Sequence, residues 1–363
     1  MHILIFIAVL FVLILVHELG HFFVAKKAKM RVDEFGIGFP PRLFSFKKGE
    51  TLYSLNAIPL GGFVKIYGED SDGAEKDADS ARAFNNRPLL AQALVLVAGV
   101  TANILLAWLL FSIVFAVGMK TSVTEEDATA QAQLMVLSVM PGSPADSAGV
   151  EPGDVIAHVS NESGRLVEKL YPSTVSSFVE ENGAVSVRVN AKGVEKRYEL
   201  VSESGLVAEE PERRVVGITM GLIEEISRPI HIAVYDAGIH TLLSIKAITV
   251  GIATLLVDTV LMRADFSQIA GPVGIAGLVG DAASLGLTSL LVFTAFISLN
   301  LAVINMLPFP ALDGGRLLFV AIEAVTGRPV PARIAQYTNA VGFFLLILLM
   351  VLVTYNDILR IMK

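Results

Sequence analysis

A multi-pass α-helical membrane protein with four transmembrane helices, a membrane-associated β-hairpin or sheet and one separate domain outside the membrane is the fold class this sequence predicts. Composition and four long apolar stretches carry that expectation. Hydrophobic residues make up 53% of the 363 and charged residues only 17%, with a mean hydropathy of +0.64; soluble domains hold about 45 to 50% apolar residues. The stretches are Ile3 to Ala25, Ala91 to Gly118, Leu285 to Leu307 and Asn339 to Tyr355. A helix rising about 1.5 Å per residue needs about 20 residues to cross a hydrocarbon core of about 30 Å, and the shortest of the four is near the lower limit. The gap between the second and third leaves room for a domain of about 100 residues.

The first stretch is interrupted near its far end by His17-Glu18-Leu19-Gly20-His21. Ionisable groups at that depth cost about 2.5 to 3.5 kcal/mol each, so they need a partner or a job. Residues four apart share a helix face, so His17 and His21 can hold one Zn²⁺ while Glu18 beside them activates water. A buried structural histidine pair would need polar neighbours, and Val12 to Val16 and Phe22 to Ala25 offer none. Catalytic zinc takes three protein ligands, so a third must come from elsewhere in the chain. The chain has no cysteine, which excludes disulfides, cysteine nucleophiles and thiolate ligands. The opening helix lacks a basic n-region and a small-residue cleavage site, so it is expected to be retained rather than removed as a signal peptide.

Lys26, Lys27, Lys29 and Arg31 follow the first stretch directly, whereas the region from Met119 to Asp281 carries 12 Lys and Arg against 22 Asp and Glu. By the positive-inside rule the first loop is cytoplasmic, the large acidic region lies outside, and both termini face outward. The net charge of −7 gives no reason to expect a nucleic-acid partner. Within the first loop, Val32 to Phe39, Leu43 to Phe46, Thr51 to Asn56 and Phe63 to Tyr67 read as strands, with Lys48-Gly49-Glu50 a turn. They form either a surface hairpin or a sheet embedded beside the metal whose edge, at Gly61, Gly62, Phe63, Val64 and Lys65, takes an extended peptide. Asp70 to Asp79 reads as an acidic linker.

In the acidic region, Pro141-Gly142-Ser143-Pro144-Ala145 through Glu151-Pro152-Gly153-Asp154-Val155-Ile156 looks like the core of a PDZ domain, with a second helix at Pro172 to Glu181. Such a domain serves for docking or captures a peptide ligand. His231 to Thr259 is apolar but punctuated by Asp236, His240, Lys246 and Asp258; it is read as an amphipathic helix against the membrane, with insertion as the alternative. The expected organisation is therefore 1–118 as a first membrane half, 119–225 as the PDZ domain, 226–282 as the amphipathic and connecting segment, and 283–363 as a second membrane half.

Asn300, Asn305 and Asp313 form the other intramembrane polar cluster. Pro308 and Pro310 must break the helix there, which a bilayer tolerates only where protein or a polar cavity surrounds the break. With four crossings Asp313 arrives at the depth of His17 and His21 and becomes the third ligand. A fifth crossing is expected to move it to the other side. Capping of the next helix by Asp313 is the plainer alternative.

Taken in order, these motifs resemble the site-2 protease family of intramembrane zinc metalloproteases, in its bacterial regulator-of-sigma-E protease (RseP/RasP) branch. The likeness covers nearly the whole chain: His17 to His21, Phe35-Gly36-Ile37-Gly38-Phe39, Pro59-Leu60-Gly61-Gly62-Phe63-Val64, the PDZ-like string, Gly271-Pro272-Val273-Gly274-Ile275, and Asn305 to Gly315. It departs at Val100, where the family pattern Gly-Pro-x-x-Asn ending here at Asn103 has proline, and in showing one PDZ-like string where some members have two. The resemblance implies zinc held by His17, His21 and Asp313, Glu18 as catalytic base, and catalytic Asn305 positioning the substrate carbonyl. It implies a multi-pass protein of the bacterial inner (cytoplasmic) membrane that cuts transmembrane segments of single-span proteins, such as anti-sigma factors and remnant signal peptides. A catalytically silent PDZ scaffold and a zinc transporter or sensor are the competing classes. Intact His17, Glu18, His21 and Asp313 argue against the scaffold, and the scattered His2, His158, His231 and His240, assigned no metal role, do not make the His-rich pattern expected of a transporter or sensor.

Overall fold

The computed structural model describes residues 2–69, 79–191, 193–206, 210, 212–261, 263 and 270–361; the linker expected at Asp70 to Asp79 falls almost wholly outside them. Along the chain run α1 (His2–Lys27), β1 (Val32–Lys48), β2 (Thr51–Ile66), α2 (Leu89–Val117), β3 (Met119–Val123), β4 (Gln133–Val139), α3 (Pro144–Ala148), β5 (Val155–Asn161), α4 (Pro172–Asn182), β6 (Ala184–Ala191), β7 (Val194–Val201), β8 (Ile218–Ile226), α5 (Ile230–Val260), α6 (Pro272–Ser284), α7 (Leu287–Asn305), α8 (Asp313–Thr326) and α9 (Ala332–Ile361). They divide into two compact units, Met1–Ala116 with Pro229–Lys363, and Val117–Arg228.

The first unit is a helical bundle with a sheet at one end. Lys26 and Lys27 close α1, where cations complement the helix dipole, and Pro88 precedes α2. Small residues set how closely α1 and α2 cross. A side chain at Gly20 would collide with the Ala98 carbonyl, and one at Gly99 with the rings of His17 and His21. The crossing therefore sits at the level of the histidines, as small residues permit between membrane helices.

β1 and β2 are paired antiparallel about the turn at Lys48 to Thr51, yet both are bent, and their register makes four segments. Residues 32–37 lie between 62–66 on one side, with Phe35 opposite Val64, and 52–55 on the other, with Phe35 opposite Tyr53. Residues 42–48 flank 51–56 on the far side. Residues 62–66 are consequently an edge, with no second strand partner among the described residues. The sheet packs on the end of α1 instead of standing off as a surface hairpin: Phe22 meets Phe35 at 5.1 Å and Tyr53 at 6.0 Å between ring centroids. Val32 and Ile66 join Ala25, Met30, Val95 and Leu96 in one buried cluster. Glu50, in the turn, binds Lys26 and Arg82, each at 2.7 Å.

The second unit is a six-stranded antiparallel sheet of order β3-β8-β4-β5-β6-β7 with α3 and α4. Val136, Val159, Val175, Val189 and Leu200 lie in its core. The expected PDZ domain is withdrawn. The string from Pro141 to Ile156 fixes only a local turn, a five-residue helix capped by Ser143 and Gly149, and a return to the sheet. That connection can serve any antiparallel sheet, and nothing beyond it supports the assignment.

The expected four-helix membrane fold is corrected as well. Five helices, α1, α2, α5, α7 and α9, are long and apolar enough to cross a membrane by length and composition. The additional one, α5, is the segment read as amphipathic. Asp236, His240, Lys246 and Asp258 are separated by long apolar runs within its 31 positions, and His240 sits among the rings of Phe111, Phe115 and Phe296. Asp313 nonetheless stands beside the histidines in a chain with five such helices. By α6 the chain is back at the end of the bundle where α1 begins: Gly280 abuts His2, and Val279 packs in one cluster with Val9 and Leu13. Asp357, near the end of α9, accepts hydrogen bonds there from the Gly271 and Gly274 amides at 3.1 and 2.8 Å. From that end α7 descends to the histidines.

Lys26, hydrogen-bonded to Glu50, and Arg82 beside it hold the Glu50 carboxyl below its usual value of 4.5. A carboxyl depressed in the folded state contributes stability above its unfolded pKa and loses it as pH falls through the folded one. Glu50→Gln is expected to cost less than about 1 kcal/mol at pH 7, as partly exposed ion pairs do, and to remove the corresponding loss of stability below about pH 4.5. Unfolding of both proteins in detergent from pH 7 to pH 3 tests this; parallel profiles would refute it.

Candidate metal centre

One helix and one tight turn build the site. His17 and His21 stand one turn apart on α1, both buried. Asp313 opens α8, with Leu312 at the N-cap. Between α7 and α8 the chain reverses through Pro308, Pro310 and Ala311, the last at φ 71°. Gly314 and Gly315 follow against the carbonyls of Met306, Leu307 and Phe309, where any side chain would collide. Asp313 is thus both the first-turn acid of α8, favoured at a helix N-terminus, and the group delivered to the histidines.

Three lone-pair atoms converge. His17 Nε2 lies 3.1 Å from His21 Nε2, and Asp313 Oδ2 lies 3.1 Å from the first and 3.3 Å from the second. Asp313 Oδ2 is buried without an aligned N–H or O–H donor. Tetrahedral zinc with bonds of about 2.0 to 2.1 Å separates its ligand atoms by about 3.3 Å, so this triangle has the size of a zinc-ligand face. His, His and Asp are also the donor set that hydrolytic zinc accepts. His21 Nδ1 is 2.8 Å from the Val95 carbonyl; a proton donated there leaves the Nε2 lone pair facing the centre. His17 Nδ1 is 3.4 Å from the side-chain amide of Asn103.

Two cavities flank the triangle. One, of about 220 Å³, is lined by His17, Glu18, His21 and Asp313 together with Phe63, Val64 and Ile66 of the edge strand, and by Glu69 and Arg316. The other, of about 260 Å³, is lined by His17, Glu18 and Asp313 with Ile14, Leu301, Asn305 and Leu312. Glu18 therefore borders both. Gly62 is so placed that a Cβ would stand 3.6 Å from Glu18 Cγ, while Gly61 faces Ile14 and Phe39. Lys65 is exposed and lines neither cavity. Sequence reasoning assigned no role to the ion pair of Glu69 and Arg316, which ties the end of the edge strand to α8 one turn past Asp313. It also assigned none to Asn103, although a polar residue in the middle of an apolar helix is a functional signal in itself.

The family model described as Peptidase family M50 matches residues 5–349. The chain belongs to peptidase family M50. This is the site-2 protease family, and it is zinc-dependent. Two relatives named "Putative zinc metalloprotease" match almost end to end. That of Clostridium perfringens is 35% identical over 96% of this chain and 95% of its own length, and that of Synechocystis sp. is 34% identical over 98% and 93%. The zinc metalloprotease RasP of Oceanobacillus iheyensis is 29% identical over 98% of both chains. A multi-pass membrane metalloprotease is thereby the function class, in place of the scaffold and transporter readings.

If Asp313 completes the ligand set, Asp313→Ala weakens zinc retention while His21 stays oriented by Val95. Metal analysis of variant and wild type purified in detergent measures this, and unchanged zinc content would point to another third ligand.

Proposed function

We propose that the chain is a zinc-dependent intramembrane endopeptidase that cuts transmembrane segments of single-span membrane proteins during regulated intramembrane proteolysis, with anti-sigma-factor-like proteins and remnant signal peptides as substrates. The observation that carries this reading is that Glu18 borders both cavities, with the edge strand on one side and Asn305 on the other. His17, His21 and Asp313 hold the zinc. When bound, zinc supplies Lewis acidity that polarises the scissile carbonyl and makes water a competent nucleophile near neutral pH. Glu18 takes the water's proton and delivers it to the leaving amide nitrogen. Asn305 donates a hydrogen bond to the developing oxyanion, a contribution worth about 3 kcal/mol in comparable sites.

A helical substrate presents amides that are already hydrogen-bonded, so it must unwind before attack. Residues 62–66, paired on one side only with 32–37, offer sheet bonds in exchange for the helical ones. Gly61 to Val64 fit that role; Lys65, pointing away, contributes backbone alone. Orientation follows charge. The basic run from Lys26 to Arg31 places the metal end of the bundle toward the bacterial cytoplasm. The opposite end, shared by the start of α1 and the end of α9, then faces outward in the inner membrane, which puts both termini outside.

Glu18→Gln is expected to yield a folded, membrane-inserted, zinc-loaded protein with cleavage lowered by at least about 10²-fold, the lower end of general-base contributions. Incubating it and the wild type with single-span substrates, with and without their outer domains, and a zinc chelator as control, is the test. Turnover near wild type would remove Glu18 as the base.

A further inference from the structure

Asn103 is completely buried in α2, and its side-chain Oδ1 has no hydrogen-bond partner among the described residues. Its amide nitrogen is the group placed 3.4 Å from His17 Nδ1. Its backbone carbonyl is held from the other side, accepting from the hydroxyl of the fully buried Ser298 on α7 at 2.8 Å. One residue thus joins α1, α2 and α7 behind the ligand triangle. The nitrogen-facing arrangement conflicts with the chemistry of His17. For Nε2 to present a lone pair to a metal, the ring proton must sit on Nδ1. An N–H of His17 would then face the N–H₂ of Asn103, two donors with no acceptor between them. The oxygen and nitrogen of a carboxamide occupy interchangeable positions, and the hydrogen-bond chemistry decides between them. Turning the amide over brings Oδ1 to Nδ1. It leaves the N–H₂ unpartnered where the oxygen was, so the lone pair on Nε2 is what decides.

We propose that Asn103 is a positioning residue of the metal centre: its Oδ1 accepts the Nδ1 proton of His17, fixing that ring's tautomer and orientation so that Nε2 is free to ligate. This rests on the reading of His17 as a zinc ligand. His21 has the equivalent support from the Val95 carbonyl, so each imidazole donates to one oxygen of α2. Outer partners of ligating histidines change metal affinity by about 10- to 100-fold when removed.

The experiment measures zinc affinity by chelator competition on full-length protein in detergent for wild type, Asn103→Leu, Asn103→Asp and His17→Ala. Asn103→Leu, close in size but without an acceptor, is expected to weaken zinc binding about 10- to 100-fold. Asn103→Asp keeps an acceptor and is expected to stay within a few-fold of wild type; a purely space-filling role would not separate these two. Zinc held by Asn103→Leu as tightly as by wild type, or lost equally from Asn103→Asp, would overturn the proposal. His17→Ala separates the two readings: if it keeps its zinc, the ligand assignment has failed; if it loses zinc while Asn103→Leu does not, only the role of Asn103 has failed. A measurement on unsubstituted protein covers a variant that does not fold. With only six histidines, ¹⁵N-histidine spectra of the zinc-loaded chain, with the signals assigned by loss in single His variants, report the tautomer of His17. A proton on Nδ1 is expected; a proton on Nε2 would overturn the proposal.

Discussion

Three lone pairs within 3.3 Å of one another, inside an apolar bundle, are the arrangement on which the rest of the first unit depends. In a low-dielectric setting such a cluster of lone pairs is unfavourable unless a cation or a proton stands among them. The fold meets that demand from two distant places, α1 and the start of α8. Gly20 and Gly99 let α2 press against α1 where the imidazoles stand, and Gly314 and Gly315 let the turn after α7 close tightly enough to present Asp313. All four serve one convergence, and each does so by the absence of a side chain.

The surroundings of the triangle are unequal, and the inequality has a use. On the side of the edge strand Phe63, Val64 and Ile66 stand beside Glu18, with the Glu69 and Arg316 ion pair in the same wall. On the other side Asn305 is the polar wall residue that is not itself a ligand or the base. An extended peptide laid along residues 62–66 would pass Glu18 with its carbonyls free on the outer edge. The hydrogen bonds it lost on leaving a helix would be replaced by strand bonds of similar worth. The ion pair between Glu69 and Arg316 fixes the end of that strand to the helix carrying Asp313. Strand and ligand are therefore one mechanical piece instead of two.

The candidate metal cluster was legible because polarity is expensive in an apolar helix. His17, Glu18 and His21 stood out against Val12 to Val16, and the pair of prolines before Asp313 announced a break that only a polar setting could hold. Crossing number was harder to read. Asp236, His240, Lys246 and Asp258 looked like one face of a surface helix, yet the residues between them are apolar enough for α5 to join the other four. What partners a histidine such as His240 is decided by Phe111, Phe115 and Phe296 from two other helices, which no local pattern reveals. Counting apolar segments also gives no knowledge of where α6 joins the bundle, beside the start of α1. The PDZ reading failed differently: a turn, a short helix and a second turn are local chemistry, and a local string does not specify the sheet it joins.

The two histidines also meet α2 through different kinds of group. His21 leans on the carbonyl of Val95, a group the α2 backbone supplies whatever the side chain at that position, provided the helix keeps its course. His17 leans on a side chain, so its support depends on residue identity and on the helices that hold Asn103 in place, α7 through Ser298 among them. Because α7 also carries Asn305 and leads into the turn before Asp313, one helix bears on Asp313, the second cavity and the surroundings of His17 together.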